Sequence, residues 1–243
     1  MRVLIISDVH ANLTALEAVL ADAGKVDQTW CLGDVIGYGP DPNAVVERLR
    51  SLPNLTIILG NHDVAVLDQM DAAVFNTEAR RSLLWQKKMV TTENLMYLES
   101  LPQEVVVREN ASMAHGSPRD PVWEYILNTL VARLNFEEFQ TPYCFVGHSH
   151  IQCMFKLDVE HDRISLEMPK PNEVLQLTPR AILNPGSVGQ PRDRDPRSAY
   201  AIYNTEAQTW EPRRVQYDIE SVQKRIRKVG LPEKHAVRLA EGW

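Results

Sequence analysis

Several short apolar runs in this sequence stop abruptly at a carboxylate, an amide or an imidazole, and this feature constrains the fold more than any other. The runs read IISDVH, CLGDVIG, ILGNHD, MAHGS and FVGHSH, and they contain five of the seven histidines. Short apolar runs of this kind are typical of buried strands, and strand ends in a layered α/β fold meet at one edge of a sheet. We therefore expect these polar side chains to lie close together at such an edge.

The segments between the first three runs indicate helices. Leucine and valine recur at helical spacing over residues 12–23, and a second helix is expected to begin near Pro42 after Asp41 as its cap. Residues 77–100 also look helical. Strands and helices thus alternate in the first part of the chain, which is typical of an α/β layer.

The pattern changes after Pro102. Short β-like runs follow at near-regular intervals, broken by proline, asparagine and glycine, with one helical insert expected at 121–139. The end of the chain, residues 217–243, again shows helical spacing of apolar residues. We predict one α/β domain over residues 1–243, with two packed sheets, outer helices and a helical C-terminal extension at 217–243.

Composition argues against several classes of protein. The chain has 243 residues and a net charge of −6, which disfavours nucleic acid as a partner. No apolar stretch is long enough to cross a bilayer, and the first residues do not read as a signal peptide. Cys31, Cys144 and Cys153 show no paired spacing and are expected to be buried thiols. We expect a cytoplasmic protein with no membrane partner.

Each polar cluster also has a purely structural explanation. Asp8 could cap the first helix, and Asp34 could be a turn residue. Asn61 and Asp63 could cap a helix that starts near residue 63, and His115 could be a half-buried histidine with satisfied hydrogen bonds. None of these explanations accounts for the concentration of histidine at apolar-to-polar strand ends, so the combined pattern favours a site.

The donor types indicate the chemistry of that site. Imidazoles with carboxylates and an amide suit Zn, Mn, Fe or Co rather than Ca or a bare Mg site. No cysteine joins the set, which argues against a structural zinc finger. Seven donors exceed what one tetrahedral ion can bind, so two metals bridged by a carboxylate fit better. The remaining histidines, His161 and His235, sit in polar surroundings and are expected at the surface.

The order and spacing of the motifs resemble those of the calcineurin-like metallophosphoesterase superfamily. The motifs that carry the resemblance are Asp8-Val9-His10, Gly33-Asp34, Gly60-Asn61-His62-Asp63, His115 and Gly147-His148-Ser149-His150. The segment LNPGSVGQPRD at 183–193 further resembles the small prokaryotic phosphodiesterase branch. The resemblance implies a two-sheet β-sandwich flanked by helices, the four-layer αββα fold. One departure is visible, because VIGYG follows the Gly-Asp pair where many members have an acidic or arginine-containing segment.

The resemblance also implies roles for individual residues. One metal would be held by Asp8, His10 and His150, the other by Asn61, His115 and His148, with Asp34 as the bridge. His62 would face the leaving-group oxygen, where an imidazolium could donate a proton or stabilise charge. Asp63 would orient His62 or cap a helix. Two divalent transition-metal ions are expected, drawn from Mn, Zn, Fe, Ni and Co, with Mn favoured in the cell.

The implied activity is hydrolysis of a small phosphodiester or phosphomonoester by attack of a metal-bridging hydroxide. The resemblance to the small prokaryotic branch with the NPGS segment favours phosphodiesters as the substrates. Arg119 and Arg192 are candidates for phosphate contact. The insert, with Trp123, Tyr125, Arg133 and Phe136, could form a wall over the site that stacks a base or an aryl group, although packing of its aromatics into the core is the stronger expectation.

Three alternatives stay open from the sequence. The first is a binding or scaffold protein that kept the fold and lost catalysis, which the complete ligand set disfavours. The second is a DNA exonuclease of the same superfamily, which is expected to have a longer chain and a basic DNA path. The third is a protein phosphatase.

Overall fold

Two six-stranded β-sheets packed face to face form the centre of the computed structural model, which describes residues 1–243. The strands of the first sheet, in spatial order, are β3 (Leu55–Ile57), β2 (Gln28–Cys31), β1 (Arg2–Ile6), β11 (Ser198–Asn204), β12 (Thr209–Val215) and β9 (Leu175–Gln176). Those of the second are β4 (Val106–Arg108), β5 (Ala111–Met113), β6 (Tyr143–Phe145), β10 (Ala181–Pro185), β7 (Gln152–Asp158) and β8 (Arg163–Glu167).

Eight helices flank the two sheets and the site edge. They are α1 (Leu13–Ala23), α2 (Pro42–Arg50), α3 (Asn61–Val66), α4 (Thr77–Met89), α5 (Thr92–Glu99), α6 (Thr129–Phe136), α7 (Ile219–Lys228) and α8 (Glu233–Glu241). A single 3₁₀ turn at Ala72–Val74 precedes α4. No helix is both long and apolar enough to span a membrane.

The alternation of side chains along β1 explains the layering. Val3 and Ile5 belong to the apolar cluster between the sheets, whereas Leu4 and Ile6 belong to the cluster under the helices of the first sheet. Successive strand residues face opposite sides, so a strand that is apolar at every position must be covered on both faces. The αββα sandwich expected for this chain is therefore confirmed.

The register of the parallel strands brings the polar motifs to one edge. In the first sheet Cys31 pairs with Ile6 on one side and Ile57 on the other, so β1, β2 and β3 end level with one another. In the second sheet Phe145 pairs with Met113 and with Leu183 in the same way. The five polar motifs each follow one of these strand ends.

Three expected helical segments are shorter or more broken than the sequence suggests. Residues 77–100 form α4 and α5, which are separated at Val90 and Thr91. In the insert at 121–139 only α6 is helical, because the Asn128 side chain caps it by accepting a hydrogen bond from the Val131 N–H. The C-terminal segment 217–243 is two helices, separated at Gly230, which has a φ of 76°, and at Pro232, which lacks an N–H. Cys31, Cys144 and Cys153 are all buried, as expected.

Candidate active site

The predicted ligand residues form two adjoining groups of buried donors. One group holds Asp8, His10, Asp34 and His150, and the other holds Asp34, His115 and His148, with the donor atoms of each group within 4.8 Å of one another. The Asn61 amide oxygen lies 3.2 Å from His115 Nε2 and so joins the second group. Asp34 belongs to both groups: its Oδ2 lies 3.6 Å from His10 Nε2 and 3.5 Å from His115 Nε2.

The backbone at these positions is held in an unusual conformation. Asp8, His10, Asp34, His148 and His150 all adopt positive φ angles between 48° and 64°, a left-handed region that non-glycine residues rarely occupy. Such residues cost on the order of 1–3 kcal/mol each and persist where the surroundings fix them. Backbone hydrogen bonds supply that constraint, including His10 N to the Asp34 carbonyl at 2.9 Å and Asp8 N to the Gly33 carbonyl at 3.0 Å.

Backbone carbonyls fix the tautomers of the histidines. The Nδ1–H groups of His10, His115 and His150 donate to the carbonyls of Ile36, Leu32 and Gln190, and the Nε2–H of His148 donates to that of Trp123. The other ring nitrogen of each histidine therefore faces the centre as a possible ligand atom. His10 Nε2 and His150 Nε2 face each other at 3.1 Å, and His115 Nε2 faces His148 Nδ1 at 3.2 Å.

Burial disfavours the charged forms of the carboxyl and imidazole groups in the cluster. Burial raises the pKa of Asp8 to about 7 and is the main cause of the raised pKa of Asp34, to which the neighbouring Asp63 adds. Burial likewise lowers the pKa values of His10, His148 and His150 well below 6.5. One oxygen of Asp8 has no hydrogen-bond partner. Opposed lone pairs and desolvated carboxylates are the surroundings that a divalent cation relieves, so the donor set fits such an ion.

Asp63 does not orient His62, in contrast to one of its two predicted roles. Its carboxylate accepts hydrogen bonds from the backbone N–H groups of Gly60, Val35 and Ile36. The reason is geometric, since Asp63 is the third residue of α3 and its side chain turns back to the start of that helix. Asp63 therefore caps α3 and ties it to the loop after Asp34.

His62 lies over the cluster without belonging to either donor group. Its backbone N–H donates to Asp34 Oδ1 at 2.9 Å, while its ring Nδ1 has no partner. The ring is packed between Tyr38 at 4.5 Å and Phe75 at 4.8 Å. Gly37 makes this packing possible, because a Cβ there would lie 2.7 Å from His62 Nδ1.

A cavity of about 220 Å³ opens above the two donor groups. Its lining contains Asp34, Asn61, His62, His148 and His150 from the predicted site, the aromatic residues Tyr38, Phe75, Trp123 and Tyr125, and the arginines Arg192 and Arg238. Arg192, a predicted phosphate contact, is thus at the site. Arg119 is not among the lining residues and instead pairs with Glu124, so the structure does not support its predicted role.

The insert aromatics divide between the two roles considered from sequence. Tyr125 stacks on His148 at 3.7 Å and Trp123 lies 5.4 Å from Phe75, so both line the cavity. Phe136 instead packs in the apolar cluster under the second sheet. Packing into the core, the stronger expectation, is therefore wrong for Trp123 and Tyr125.

Several residues of the cavity region escaped the sequence analysis. Tyr38 lies in the GYG turn, and Arg238 carries no local motif. His235 was expected at the surface, yet its side chain is buried, its ring lying 4.9 Å from that of Tyr38. The prediction was wrong because α8 folds back over the site. The helical spacing of Ala236 and Leu239 around His235 is the signal that could have revealed a buried face.

Comparison with known proteins identifies the family. The model of the calcineurin-like phosphoesterase superfamily domain matches residues 1–208. The chain belongs to this superfamily. A metallophosphoesterase from Sphaerobacter thermophilus is 48% identical, with a TM-score of 0.91 over 100% of this chain and 99% of its own. An uncharacterised protein of Methanocaldococcus jannaschii is 37% identical over 247 residues, covering 98% of this chain and 97% of that protein.

A more distant relative matches only the first part of the chain. The symmetrical bis(5'-nucleosyl)-tetraphosphatase of Pectobacterium atrosepticum is 37% identical over 71 residues, which is 28% of this chain and 25% of that protein. Family membership supports a phosphoester hydrolase, and together with the buried donor cluster it supports a divalent-metal site.

Metal binding by this phosphoesterase should depend on pH through Asp8. Below about pH 7 the Asp8 carboxyl of the metal-free protein is protonated, so an ion must displace that proton, whereas above it the carboxylate is already ionised. We expect the affinity for Mn²⁺ to rise about tenfold per pH unit for each proton displaced, up to about pH 7 for Asp8. The buried histidines with lowered pKa values release no protons over this range.

Isothermal titration calorimetry with Mn²⁺, carried out in two buffers of different ionisation enthalpy, counts the protons released when the ion binds. Asp8→Asn should release about one proton fewer than the wild type at about pH 6. An affinity that does not change with pH would show that Asp8 is not a ligand.

Proposed function

We propose that this chain is a two-metal phosphoesterase whose preferred substrates are phosphodiesters. The observation that carries the proposal is the position of Asp34 between two sets of inward-facing donors, beneath a cavity lined by His62 and Arg192. Asp8, His10 and His150 would hold one ion, and Asn61, His115 and His148 the other. The chemistry that divalent ions supply in such a site is polarisation of phosphoryl oxygens and activation of a water molecule.

The chain's own residues have three tasks in this proposal. Backbone carbonyls that accept from the Nδ1–H groups of His10, His115 and His150 hold the opposite ring nitrogens toward the centre, so the ligands need not rearrange when an ion binds. Arg192 presents a guanidinium to the equatorial oxygens of the phosphoryl group, where negative charge accumulates during displacement. His62 presents a ring nitrogen to the leaving-group oxygen.

The cavity supports a diester with a planar substituent. A diester leaves one organic group on the phosphorus after hydrolysis, and Trp123 and Tyr125 offer aromatic surface for it beside His148. Phe75 extends this aromatic wall toward His62. The small phosphoester substrate proposed here therefore carries an aryl or nucleobase group.

We also propose that residues 1–243 act as one domain, with Mn²⁺ as the ion used in a cytoplasmic setting. The C-terminal helices are tied to the N-terminal half by Arg225, which pairs with Asp41 at 2.9 Å and donates to Thr14 at 2.8 Å. The Arg194 N–H donates to the Gly242 carbonyl at 2.7 Å, which ties the chain end to the site loop.

Hydrolysis of bis-p-nitrophenyl phosphate tests the proposed function. Chelator-treated protein would be assayed alone and after Mn, Zn, Ni, Co or Mg is added singly, with metal content measured in parallel. Activity restored by a transition metal supports the proposal. Two bound ions without hydrolysis of any diester or monoester would favour a scaffold protein. Failure to bind any ion would refute the proposed two-metal phosphoesterase.

Arg192→Ala should lower kcat/KM for the diester by about 30-fold without loss of bound metal, because a charge-assisted contact to phosphate is worth about 1.5–3 kcal/mol. Arg192 is placed for this role by Gln190, which accepts from its Nη2 at 3.0 Å, and by the Tyr38 hydroxyl at 3.3 Å. Arg163→Ala, on an exposed strand, is the control. Unchanged kinetics in Arg192→Ala would remove this residue from the site.

A further inference from the structure

Two guanidinium groups in the cavity lack a full set of partners. Arg192 and Arg238 line the same cavity, and the Nε atom of each is shielded from solvent without a hydrogen-bond partner. Burial, and then the neighbouring Arg192, lowers the pKa of Arg238. Like charges that share a cavity with unused donors form a favourable site for an anion.

Arg238 reaches the cavity from outside the part of the chain that the family model matches. The match ends at residue 208, and Arg238 lies in α8. Its guanidinium lies 5.3 Å from the Trp243 ring centroid, an arrangement that fixes its direction. The helix itself is anchored by Ala236 and Leu239, which pack with Val222 and Ile226 of α7. The C-terminal helices therefore place a cation at a site built by the rest of the fold.

The two ends of the cavity differ in chemistry. Arg192 lies over Tyr38, which packs on His10, and the Arg192 backbone N–H donates to the His150 carbonyl, so Arg192 belongs to the His10 and His150 end. Arg238 comes to the same end, because His235 of its helix also packs on Tyr38. Tyr125 stacks on His148 at the opposite end, with Trp123 beside it. A phosphorus held over Asp34 would have guanidinium groups on one side and aromatic rings on the other.

We propose that Arg238 binds a second phosphate group adjoining the phosphoryl group that Arg192 contacts, so that the two guanidinium groups together bind a pair of linked phosphates. The preferred substrates are then esters that carry two linked phosphates and a planar organic group, of which nucleoside diphosphate esters are the simplest class. This inference rests on the proposed function and names its substrate class. Two guanidinium groups match two linked phosphates, which carry at least two negative charges, better than a simple phosphodiester, which carries only one.

A matched pair of chromogenic esters tests the subsite. The p-nitrophenyl esters of thymidine 5'-monophosphate and thymidine 5'-diphosphate differ by one phosphate. In both, water adds to the phosphorus that bears the p-nitrophenyl group, the P–O bond to that group breaks, and p-nitrophenolate leaves. We expect Arg238→Gln to lower kcat/KM for the diphosphate ester about 10- to 100-fold and for the monophosphate ester at most about threefold.

Two further variants separate binding from structure. Lys234→Gln removes the same charge from an exposed position of the same helix and should leave both esters unaffected. Arg238→Lys keeps the charge and should recover part of the preference for the diphosphate ester. An equal loss of kcat/KM on both esters in Arg238→Gln would mean that Arg238 contacts the reacting phosphoryl group or acts only through folding. Either result overturns the proposed subsite for the second phosphate.

A binding measurement keeps this inference separate from the proposed function. Isothermal titration of the metal-loaded protein with AMP and with the non-hydrolysable α,β-methylene analogue of ADP needs no catalysis. We expect the diphosphate analogue to bind at least about fivefold more tightly than AMP in the wild type and equally in Arg238→Gln. That result without ester hydrolysis would refute the proposed hydrolase and leave the subsite standing. Equal binding in the wild type would overturn the subsite whatever the activity.

Discussion

Replacing Asp34 by asparagine is expected to lower bis-p-nitrophenyl phosphate hydrolysis about 1,000-fold and to reduce the bound metal by about one ion per chain. One carboxylate oxygen of Asp34 lies within 3.6 Å of histidine nitrogens from both donor groups, so its negative charge would serve both ions. A neutral amide oxygen is a weaker donor and leaves two cations with less charge between them. The loss should therefore appear in metal content as well as in rate.

The same substitution should not weaken the fold of the metal-free protein. Burial raises the pKa of Asp34, so its ionised form is disfavoured in the native state relative to the unfolded chain. Once the pH exceeds the ordinary pKa of an aspartate, the unfolded chain releases this proton more readily than the native state, so the Asp34 carboxyl costs stability, and a neutral asparagine removes that cost. The amide oxygen can still accept from the His62 N–H, which keeps the start of α3 in place.

Thermal unfolding of the chelator-treated proteins distinguishes loss of the site from loss of the fold. The unfolding temperature of Asp34→Asn should equal or exceed that of the wild type. Asp162→Asn is the matched control, because its side chain is 79% exposed and pairs only with Arg133. Full activity with two ions bound in Asp34→Asn would show that this residue is not shared between two metals.

The donor cluster was accessible from sequence because each donor sits immediately after a buried strand. A parallel strand ends where its apolar run ends, and the register of β1, β2 and β3 makes those ends coincide. Asp8, Asp34 and Asn61 therefore converge through local sequence rules alone. The second sheet adds His115 and His148 by the same rule.

The rest of the cavity depends on tertiary packing that local pattern does not encode. Arg238 lies more than 40 residues after Arg192 in the chain, and only the docking of α8 brings it to the cavity. His235 is buried because α8 covers Tyr38, a contact with no counterpart in the local sequence. The choice of Asp63 between capping and orienting was likewise settled by the direction of its side chain. Residues that line the cavity from helices and turns could therefore be identified only from the three-dimensional structure.

His62→Ala should reveal a role at the leaving group through its dependence on the substrate. Burial, and then the Arg192 guanidinium, lowers the pKa of His62 well below 6.5, so its ring is neutral in the free protein. The predicted imidazolium is therefore disfavoured until an anionic phosphoryl group enters the cavity, and the neutral ring acts as an N–H donor. Donation to the departing oxygen matters most when that oxygen is strongly basic.

We expect His62→Ala to lower kcat about 100- to 1,000-fold for an alkyl ester but only about tenfold for a p-nitrophenyl ester. Metal content should not change, because the His62 ring lies outside both donor groups. His161→Ala, at a side chain that is 63% exposed, controls for removal of an imidazole. His62→Gln keeps a polar donor in the space between Tyr38 and Phe75, and separates loss of donation from loss of packing.

The pattern of these rates decides the role of His62. An equal loss for alkyl and p-nitrophenyl esters would mean that the ring only orients the substrate or fills space, since neither task depends on the basicity of the leaving oxygen. A larger loss for alkyl esters, partly recovered in His62→Gln, requires a donor at that oxygen. Loss of metal in His62→Ala would instead mean that packing of the ring between Tyr38 and Phe75 helps to hold the donor groups in place, because alanine keeps the backbone hydrogen bond to Asp34.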